Sequence, residues 1–365
     1  MKRIIALVLT LAMVFALCAC GSNSNDAPAA DSTKTDAAPA ADAAPAADAA
    51  AAAPDKTYEL KFAYTLATDH EVSEAFEAFA AGVKEATNGG VVITTYPAGA
   101  MGTQPENLES VMTGSLDMCY ADTSMLPTYV PAYNMINLPW LITNFDIADE
   151  LFYNSDIIDK LDAQLSDTMN MTALGWCYQG FRSIVTNTPC SSAADCKGVK
   201  LRSPETQIYQ DTFSLMGFTP VVITWTEAYT AMQSGVVDGV DTIKSSIHSY
   251  GFDSMANASV WISNHMFSSV GIVINNDVLA GLPQEYQDAL FSEWEKAYTA
   301  LNERVKEEDA SWPAIYEEAG ANVTYTENPA EFLDIFADYY QNNAEQNGYT
   351  DLLPEMLELI NSMVK

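Results

Sequence analysis

The sequence predicts an α/β protein built around two cores. Predicted strands and helices alternate along most of the chain, which is typical of a sheet covered by helices through crossover connections. The chain has 365 residues, of which 48% are hydrophobic, and this is enough for two sizeable cores. The helical pattern from residue 283 to residue 318 carries mixed charges and predicts one long helix rather than another sheet unit.

The first residues have the features of an export signal. A basic pair, Lys2 and Arg3, precedes an apolar run that ends at Leu17 and is too short to span a membrane comfortably. The Leu-Cys-Ala-Cys-Gly segment around Cys20 resembles a bacterial lipoprotein processing site. We therefore expect residues 1–19 to be a signal peptide and Cys20 to be lipidated. An uncleaved anchor or an ordinary signal peptide is the alternative.

Residues 20–57 are predicted to form a disordered tether. Ala, Pro, Asp and Ser dominate this segment, and no large apolar side chain precedes Tyr58, so the segment has almost nothing to bury. The order of lipid, tether and folded body predicts a protein held at the outer face of the bacterial cytoplasmic membrane, or in the periplasm.

The charge balance argues against some partners. With 16 basic against 49 acidic residues, the formal net charge of -33 argues against nucleic acid and against adsorption to anionic lipid. It says little about small ligands, because the field in a buried pocket is set by the nearest charges.

The elements of the body follow from hydrophobic periodicity and turn chemistry. Thr68 and Glu71 have the spacing of a capping box at a helix start, and an Asn-Gly-Gly sequence from residue 88 ends that helix. A second α/β unit starts near Arg182. The first half is predicted to contain strands over residues 58–64, 91–96, 116–120 and 171–178, and helices over residues 71–88 and 105–113.

Catalytic and metal-binding signatures are scarce. The three histidines, His70, His248 and His265, fall into no metal-ligand pattern, and a core or surface imidazole explains each of them better. The chain has no GxSxG elbow, no P-loop and no GxGxxG after a strand. We expect no cofactor and no metal, and a binding protein rather than an enzyme.

The cysteines of the body do not define a disulfide framework. Cys119 and Cys177 lie in apolar runs and are predicted to be buried thiols. Cys190 and Cys196 flank a short turn, where they can close a small loop or remain thiols.

The segment from Asp195 to Asp241 carries the main functional signal. It contains a strand with Arg202, an amphipathic helix, a second strand, a capped helix and a Gly-rich turn. An arginine on an apolar strand of an acidic protein needs a local reason, and a bound carboxylate supplies one.

This segment resembles the solute-binding proteins of tripartite ATP-independent periplasmic (TRAP) transporters, of the dicarboxylate-binding DctP type. The similarity lies in DCKGVKLR ending at Arg202, in the Gly-x-x-Pro strand at residues 217–220, and in EAYTAMQSGVVDG at residues 227–239. It extends over nearly everything from Tyr58 onward. In this family the lipoprotein form would carry the anchor predicted at Cys20.

The resemblance implies a two-lobed periplasmic-binding-protein fold, a Venus flytrap, with crossing hinge strands and a long bridging helix. Lobe I would comprise residues 58–179 with 268–307, and lobe II residues 180–267 with 308–365. Such lobes close over one solute by hinge motion, because the ligand contacts both of them in the closed state.

The resemblance also implies the main ligand contacts. Arg202 matches the family arginine that forms a bidentate pair with the ligand carboxylate, and Arg182 matches a second arginine that contacts the ligand. The alternative for both is an ion pair with a protein carboxylate. Trp225 matches an aromatic wall of the pocket, and an ordinary core tryptophan is the alternative.

Three further positions match ligand-contacting positions of the family. Thr65 and Asp122 correspond to places where relatives have polar groups near the ligand. After Val-Asp-Gly, relatives commonly read Gln-Glu-Asn, and the Asn contacts the ligand, whereas this chain has Thr242 there. Because a hydroxyl lacks the paired functions of an amide, the dicarboxylate and sialic-acid ligands of the family do not transfer directly.

The function implied is that of an extracytoplasmic protein that captures a small organic acid between its lobes. It would deliver this acid to the membrane subunits of a TRAP permease driven by an ion gradient. A lipid-anchored ligand sensor, or an enzyme built on the same fold, is the alternative. We further expect a monomer.

Overall fold

The computed structural model describes residues 56–363, apart from the side chains at positions 329–331, 333 and 337. The predicted signal peptide, Cys20 and nearly all of the predicted tether lie outside the described residues. None of the helices within residues 56–363 combines the length and the apolar character needed to cross a membrane.

Strands and helices alternate as the sequence predicts. Short helical turns at Leu126–Thr128, Pro131–Asn137 and Glu150–Asn154 accompany the regular elements. The strands are β1 (Tyr58–Ala63), β2 (Val91–Tyr96), β3 (Met118–Asp122), β4 (Met171–Thr186), β5 (Lys200–Ser203), β6 (Thr219–Val222), β7 (Gly239–Ile243), β8 (Ser259–Ile262), β9 (Phe267–Asn275) and β10 (Asn322–Tyr325). The α-helices are α1 (Glu71–Ala86), α2 (Gln104–Met112), α3 (Phe145–Asp149), α4 (Ile157–Met169), α5 (Ala193–Cys196), α6 (Gln207–Leu215), α7 (Trp225–Gln233), α8 (Lys244–Ser249), α9 (Asn276–Ala280), α10 (Gln284–Glu308), α11 (Trp312–Ala319), α12 (Pro329–Asn347) and α13 (Leu353–Met363).

The described strands form two half-sheets that share β4. Their order is β2-β1-β3-β9-β4-β7-β5-β6, and β8 pairs with both β4 and β10. Half-sheet I consists of β1, β2, β3, β9 and the first part of β4, with β1 parallel to β2 and β3. Half-sheet II consists of the rest of β4 with β5 to β8 and β10, and β5 runs parallel to β6 and β7. This arrangement agrees with the predicted α/β fold with crossing strands.

Strand β4 passes from one half-sheet to the other. It pairs with β9 as far as Phe181, and with β7 from Arg182 onward. The β4–β9 register shifts between Tyr178 and Gly180, where Gly180 has a φ of 84°, in the left-handed region that favours glycine. A Cβ at Gly180 would also lie 3.2 Å from Cγ1 of Val305 on α10. The bulge therefore brings Arg182 to the crossing point of the two half-sheets.

The buried apolar side chains form two clusters. The larger contains Phe76 and Trp294, whose ring centroids are 5.5 Å apart, and the smaller contains Ile247 and Phe252 on half-sheet II. Ile184 and Val185 are neighbours on β4 but belong to different clusters, because successive side chains of a strand point to opposite faces. Apolar side chains are thus buried on both faces of half-sheet II, and the second face forms the smaller cluster.

The first helix begins at a different cap from the one predicted. His70 is the N-cap of α1, and its Nδ1 accepts a hydrogen bond from the amide of Val72 at 3.2 Å. Thr68 lies in the preceding turn, so the predicted capping box between Thr68 and Glu71 is wrong. The buried imidazole of His70 therefore caps the helix in place of the predicted Thr68 hydroxyl.

The long helix predicted over residues 283–318 is interrupted. Helix α10 ends at Glu308, and after a turn α11 starts at Trp312. Pro313 explains the new start, because proline has no N–H to donate and fits only the first turn of a helix. Helix α10 packs against β4 and α1, so it follows the crossing strand. The strand predicted at residues 116–120 lies two residues later, as β3.

The described cysteines are all buried. The prediction of buried thiols is confirmed for Cys119 and Cys177, and burial raises the pKa of both.

Candidate functional site

A cleft opens where the carboxyl ends of parallel strands from both half-sheets meet. Its empty space, including the part that is open to solvent, is ≈ 850 Å³. In open α/β sheets, ligands bind outside the carboxyl ends of the strands. The polar and aromatic residues that line the cleft are Thr65, Thr103, Gln104, Tyr120, Asp122, Ser124, Gln179, Arg182, Arg202, Glu205, Thr224, Trp225, Thr226, Thr242 and Ser246.

The structure brings all the predicted ligand-binding residues to this cleft. Half-sheet I contributes Thr65, which follows β1, and Asp122, which ends β3. The crossing strand and half-sheet II contribute Arg182 on β4, Arg202 on β5, Trp225 at the start of α7 and Thr242 on β7. One cavity therefore contains two guanidinium groups, a carboxylate, two hydroxyls and an indole from this set.

Arg202 is a buried cation with no carboxylate partner among the described residues. It is only 5% exposed, and its Nε donates a hydrogen bond to the carbonyl oxygen of Ile223 at 2.8 Å. Its guanidinium carbon lies 5.5 Å from the ring centroid of Trp225. Burial, and then the like charge of Arg182, lower the pKa of Arg202 to about 10, so the group is still protonated at neutral pH. A protonated guanidinium therefore borders the cleft.

Arg182 has a carboxylate partner inside the protein. Its Nε and Nη2 donate to the two carboxylate oxygens of Asp241, at distances from 2.6 to 3.1 Å. Asp241 is fully buried, and burial alone would raise its pKa. The charge of Arg182 and the contact with His265 outweigh burial and lower the pKa of Asp241 to about 2. The same pairing outweighs the effect of burial on Arg182 and raises its pKa. Both groups are therefore charged.

The strand register explains this ion pair. Arg182 lies opposite Ile243 in the antiparallel β4–β7 pair, and Ile184 lies opposite Asp241. Since side chains alternate along a strand, Arg182 and Asp241 are diagonal neighbours on one face of the sheet. The third guanidinium nitrogen, Nη1, makes only a long contact, at 3.5 Å from Oγ of Ser268.

His265 extends the pair on its far side. Its Nε2 lies 3.0 Å from Oδ1 of Asp241, in a contact bent away from regular hydrogen-bond geometry. Its Nδ1 lies 2.7 Å from Oγ of Ser263. The imidazole of His265 is fully buried, which agrees with the core alternative predicted for the histidines. It contacts the carboxylate that binds Arg182.

Trp225 stands at the first position of α7, where it borders the cleft and Arg202. Its ring packs edge-on against Tyr250, with centroids 4.9 Å apart, and its indole Nε1 has no hydrogen-bond partner among the described residues. The α7 N-cap Thr224 makes no side-chain bond to the first-turn amides. The Thr224 hydroxyl instead donates to Oε2 of Glu227 at 2.9 Å, so the positive end of this helix already has a carboxylate beside it.

Several cleft residues were not identified from the sequence. Glu205 lies in the loop after β5, and the amides of Gln104 and Gln179 come from the start of α2 and from β4. The rule that ligands bind beyond the carboxyl ends of parallel strands would have drawn attention to Glu205, which follows Arg202 by three positions. No local signal marks Asp241 as the partner of Arg182, because that contact depends on register.

Two contacts join the half-sheets beside the cleft. Nε2 of His70, at the start of α1, lies 3.2 Å from Oγ of Ser246 on α8. The hydroxyl oxygen of Tyr250 accepts a hydrogen bond from the backbone amide of Ala67 at 3.4 Å. These contacts link elements of half-sheet I to elements of half-sheet II.

Among residues 56–363, no group of three or more His, Cys, Asp and Glu side chains is arranged to hold a metal ion.

The model of the family called bacterial extracellular solute-binding protein, family 7 (DctP), matches residues 62–347. The chain belongs to this family. Its members are solute-binding proteins of TRAP transporters, and the resemblance stated from the sequence is confirmed at the level of the family.

The relatives include proteins with different named ligands. The sialic acid-binding periplasmic protein SiaP of Vibrio cholerae is 25% identical over 243 residues, which cover 67% of this chain and 75% of that protein. The C4-dicarboxylate-binding periplasmic protein DctP of Rhodobacter capsulatus is 22% identical over 296 residues, covering 79% and 87%. A solved structure of the sugar acid binding protein DctPAm from Advenella mimigardefordensis, in complex with galactonate, has a TM-score of 0.79 at 21% identity and covers 84% of this chain and 99% of that one. The last comparison shows a shared fold, that of the two-lobed family members.

Proposed function

We propose that this protein captures a small organic acid in the cleft and delivers it to the membrane subunits of an ion-gradient-driven TRAP permease. The observation that carries the proposal is Arg202, a buried and protonated guanidinium that borders the cleft without a carboxylate partner among the described residues. A buried charge without a partner is costly, and a ligand carboxylate provides the bidentate partner that the forked donors fit. Relatives named for sialic acid and C4-dicarboxylates, and one solved with galactonate, all bind acids.

The other predicted contacts follow from the same cavity. Arg182 offers Nη1, Trp225 offers its indole face and Nε1, and Thr65, Asp122 and Thr242 offer oxygen atoms along the walls. Because these groups come from both half-sheets, a ligand that contacts all of them stabilises a closed arrangement over an open one.

Closure would occur between lobe I, residues 58–179 with 268–307, and lobe II, residues 180–267 with 308–365. The change of partner strand along β4 after Phe181 supports a boundary at this place. The contact between His70 and Ser246 would then form when the lobes close and break when they open. In this account the protein acts as a monomer, and the closed state is what the permease recognises.

A ligand screen tests this function. The folded body, residues 58–365, would be heated with C4-dicarboxylates, sugar acids, 2-oxo acids and aromatic acids, and its melting temperature would be recorded with each. A ligand at a hundred times its Kd stabilises the folded state by about 2.7 kcal/mol, which is readily seen as a raised melting temperature. The proposal requires at least one acid to do this with one-to-one stoichiometry, and the acid should be recovered chemically unchanged. If no acid raises the melting temperature, the proposal fails, and turnover of the acid would favour an enzyme.

The proposal also places the protein at the outer face of the cytoplasmic membrane through a lipid on Cys20. Cys20→Ala should release the body into the periplasm or medium with unchanged ligand binding, because only the anchor is lost. A variant that remains on membranes after high-salt washing, which removes weak electrostatic adsorption, would contradict the lipid anchor.

A further inference from the structure

The charged residues that line the cleft differ in whether they have an ion-pair partner. Arg182 and Arg202 are its two basic residues, while Asp122 and Glu205 are its two acidic ones. Asp241 behind the wall already holds Arg182 through both carboxylate oxygens. Arg202 is therefore the one lining cation, within the described residues, that no carboxylate holds directly. A ligand carboxylate placed elsewhere in the cleft finds only Nη1 of Arg182, whose charge Asp241 already balances.

The two acidic side chains are not tied up in ion pairs among the described residues. One oxygen of Asp122 accepts a hydrogen bond from the amide of Ser124 at 2.8 Å, and the other accepts from the hydroxyl of Tyr120 at 3.3 Å. Glu205 is exposed in the loop after β5. A carboxylate has about four acceptor sites, so both groups keep capacity to accept hydrogen bonds from a ligand, and both repel a second negative charge.

Neutral polar groups fill the rest of the lining. The side-chain Nε2 of Gln104 and the indole Nε1 of Trp225 are buried donors without a partner among the described residues. A buried donor left unpaired costs free energy, so a ligand oxygen that accepts from it is favoured. Ligand hydroxyl groups meet both requirements, because each can accept from these donors and donate to Asp122 or Glu205.

We propose that Asp122 and Glu205 are specificity residues that exclude a second carboxylate, so that the ligand is a monocarboxylate bearing several hydroxyl groups. The inference rests on the proposed function, since it assumes that the cleft binds an acid through Arg202. It goes further by assigning a selecting role to Asp122 and Glu205. Like charges brought together at a binding interface cost enough to reverse a preference between otherwise similar ligands.

Matched pairs of acids test the inference, with calorimetry on the full folded body. Each pair differs only in a terminal group, which is CH₂OH in one member and carboxylate in the other: glycerate and tartronate, erythronate and meso-tartrate, galactonate and galactarate. For pairs that bind, we expect the monocarboxylate to bind at least about tenfold more tightly. In the double variant Asp122→Asn with Glu205→Gln, the ratio should fall towards one, mainly because the dicarboxylate binds better.

A control variant separates local repulsion from the effect of overall charge. Glu59→Gln removes one negative charge from an exposed position on β1 that does not line the cleft, so it should leave the ratio unchanged. A dicarboxylate that binds as tightly as its partner, a ratio unaffected by the double variant, or binding restricted to acids without hydroxyl groups would each overturn the inference while leaving the proposed function intact. If no acid of any kind binds, the proposed function fails and the inference fails with it.

Discussion

The surroundings of Arg182 and Arg202 show two ways in which one protein buries a guanidinium. Around Arg182, the β4–β7 register supplies a buried carboxylate, and His265 supports that carboxylate from behind. Around Arg202, the neighbours are a backbone carbonyl, an indole ring and the cleft. The first arrangement is complete without a ligand, whereas the second lacks its anion. The comparison teaches that two arginines that are almost equally buried in one cavity can have different electrostatic partners.

The difference between the two arginines should be largest in stability. Arg182→Met leaves the Asp241 carboxylate buried beside His265 without its main cation, and breaking a buried pair in this way costs about 3–5 kcal/mol of unfolding free energy. Arg202→Met removes a buried cation that has no carboxylate partner and loses one hydrogen bond to Ile223, so stability should fall by less than about 1 kcal/mol or should rise. Denaturant unfolding of both variants without ligand measures the two values. Equal losses would erase the distinction.

His70 shows a third way to bury an ionisable group, which is to keep it neutral. Burial lowers its pKa from 6.5 to about 4, while the nearby charges of Asp69 and Glu74 oppose this shift and that of Arg304 adds to it. The unfolded chain therefore binds a proton at a higher pH than the folded one does. The contribution to stability is constant above about pH 6.5 and is lost as the pH falls towards 4, by at most about 3 kcal/mol.

The variant His70→Asn isolates this effect, because Asn is also a good N-cap but does not titrate. Unfolding free energies of both proteins should be measured from pH 7 to pH 4. Asp162, whose pKa burial raises to about 6, changes stability in the opposite sense and does so equally in both proteins. The difference between the two curves should move by up to about 3 kcal/mol in favour of the variant as the pH falls. Parallel curves would show that His70 is not held neutral.

Trp225 should give the smallest effect and the most local one. If it borders the bound acid as it borders Arg202, ligand binding changes the surroundings of its indole and hence its fluorescence. Trp225→Phe should remove most of that ligand-dependent change and weaken the contact with the Arg202 cation by about 0.5–1 kcal/mol. Trp312→Phe is the matched control, because Trp312 stacks on Tyr316 in α11 and does not line the cleft. A signal that survives in Trp225→Phe and disappears in Trp312→Phe would place the responding indole elsewhere.

The sequence predicted one arginine environment better than the other. Arg202 could be singled out because an arginine on an apolar strand, inside a run of ordered motifs, is a local pattern. The partner of Arg182 could not be named, because Asp241 is 59 residues away and becomes its neighbour only through the strand register.

The same limit applies to the fold. Hydrophobic periodicity predicted most strands and helices, because it is a property of short windows. It did not show that β4 continues through the predicted lobe boundary as one strand of 16 residues. It also placed the cap of α1 on Thr68, because the burial of His70 against α8 is a tertiary contact. Features that depend on short segments of sequence could be predicted, whereas contacts between distant segments could not.

Affinity measured at Arg202 tests the central claim most directly. The acid that binds most tightly in the screen would be titrated by calorimetry into wild type, Arg202→Lys and Arg202→Ala, and the unliganded stability of each would be recorded. We expect Arg202→Ala to lose about 3–5 kcal/mol, or roughly a hundred- to several-thousand-fold in affinity, because the ligand carboxylate enters the cleft without a partner. Arg202→Lys should recover only part of this, since an ammonium cannot reproduce the two-donor fork. Near-equal affinities of the three proteins, or a large loss of stability without ligand, would contradict the account.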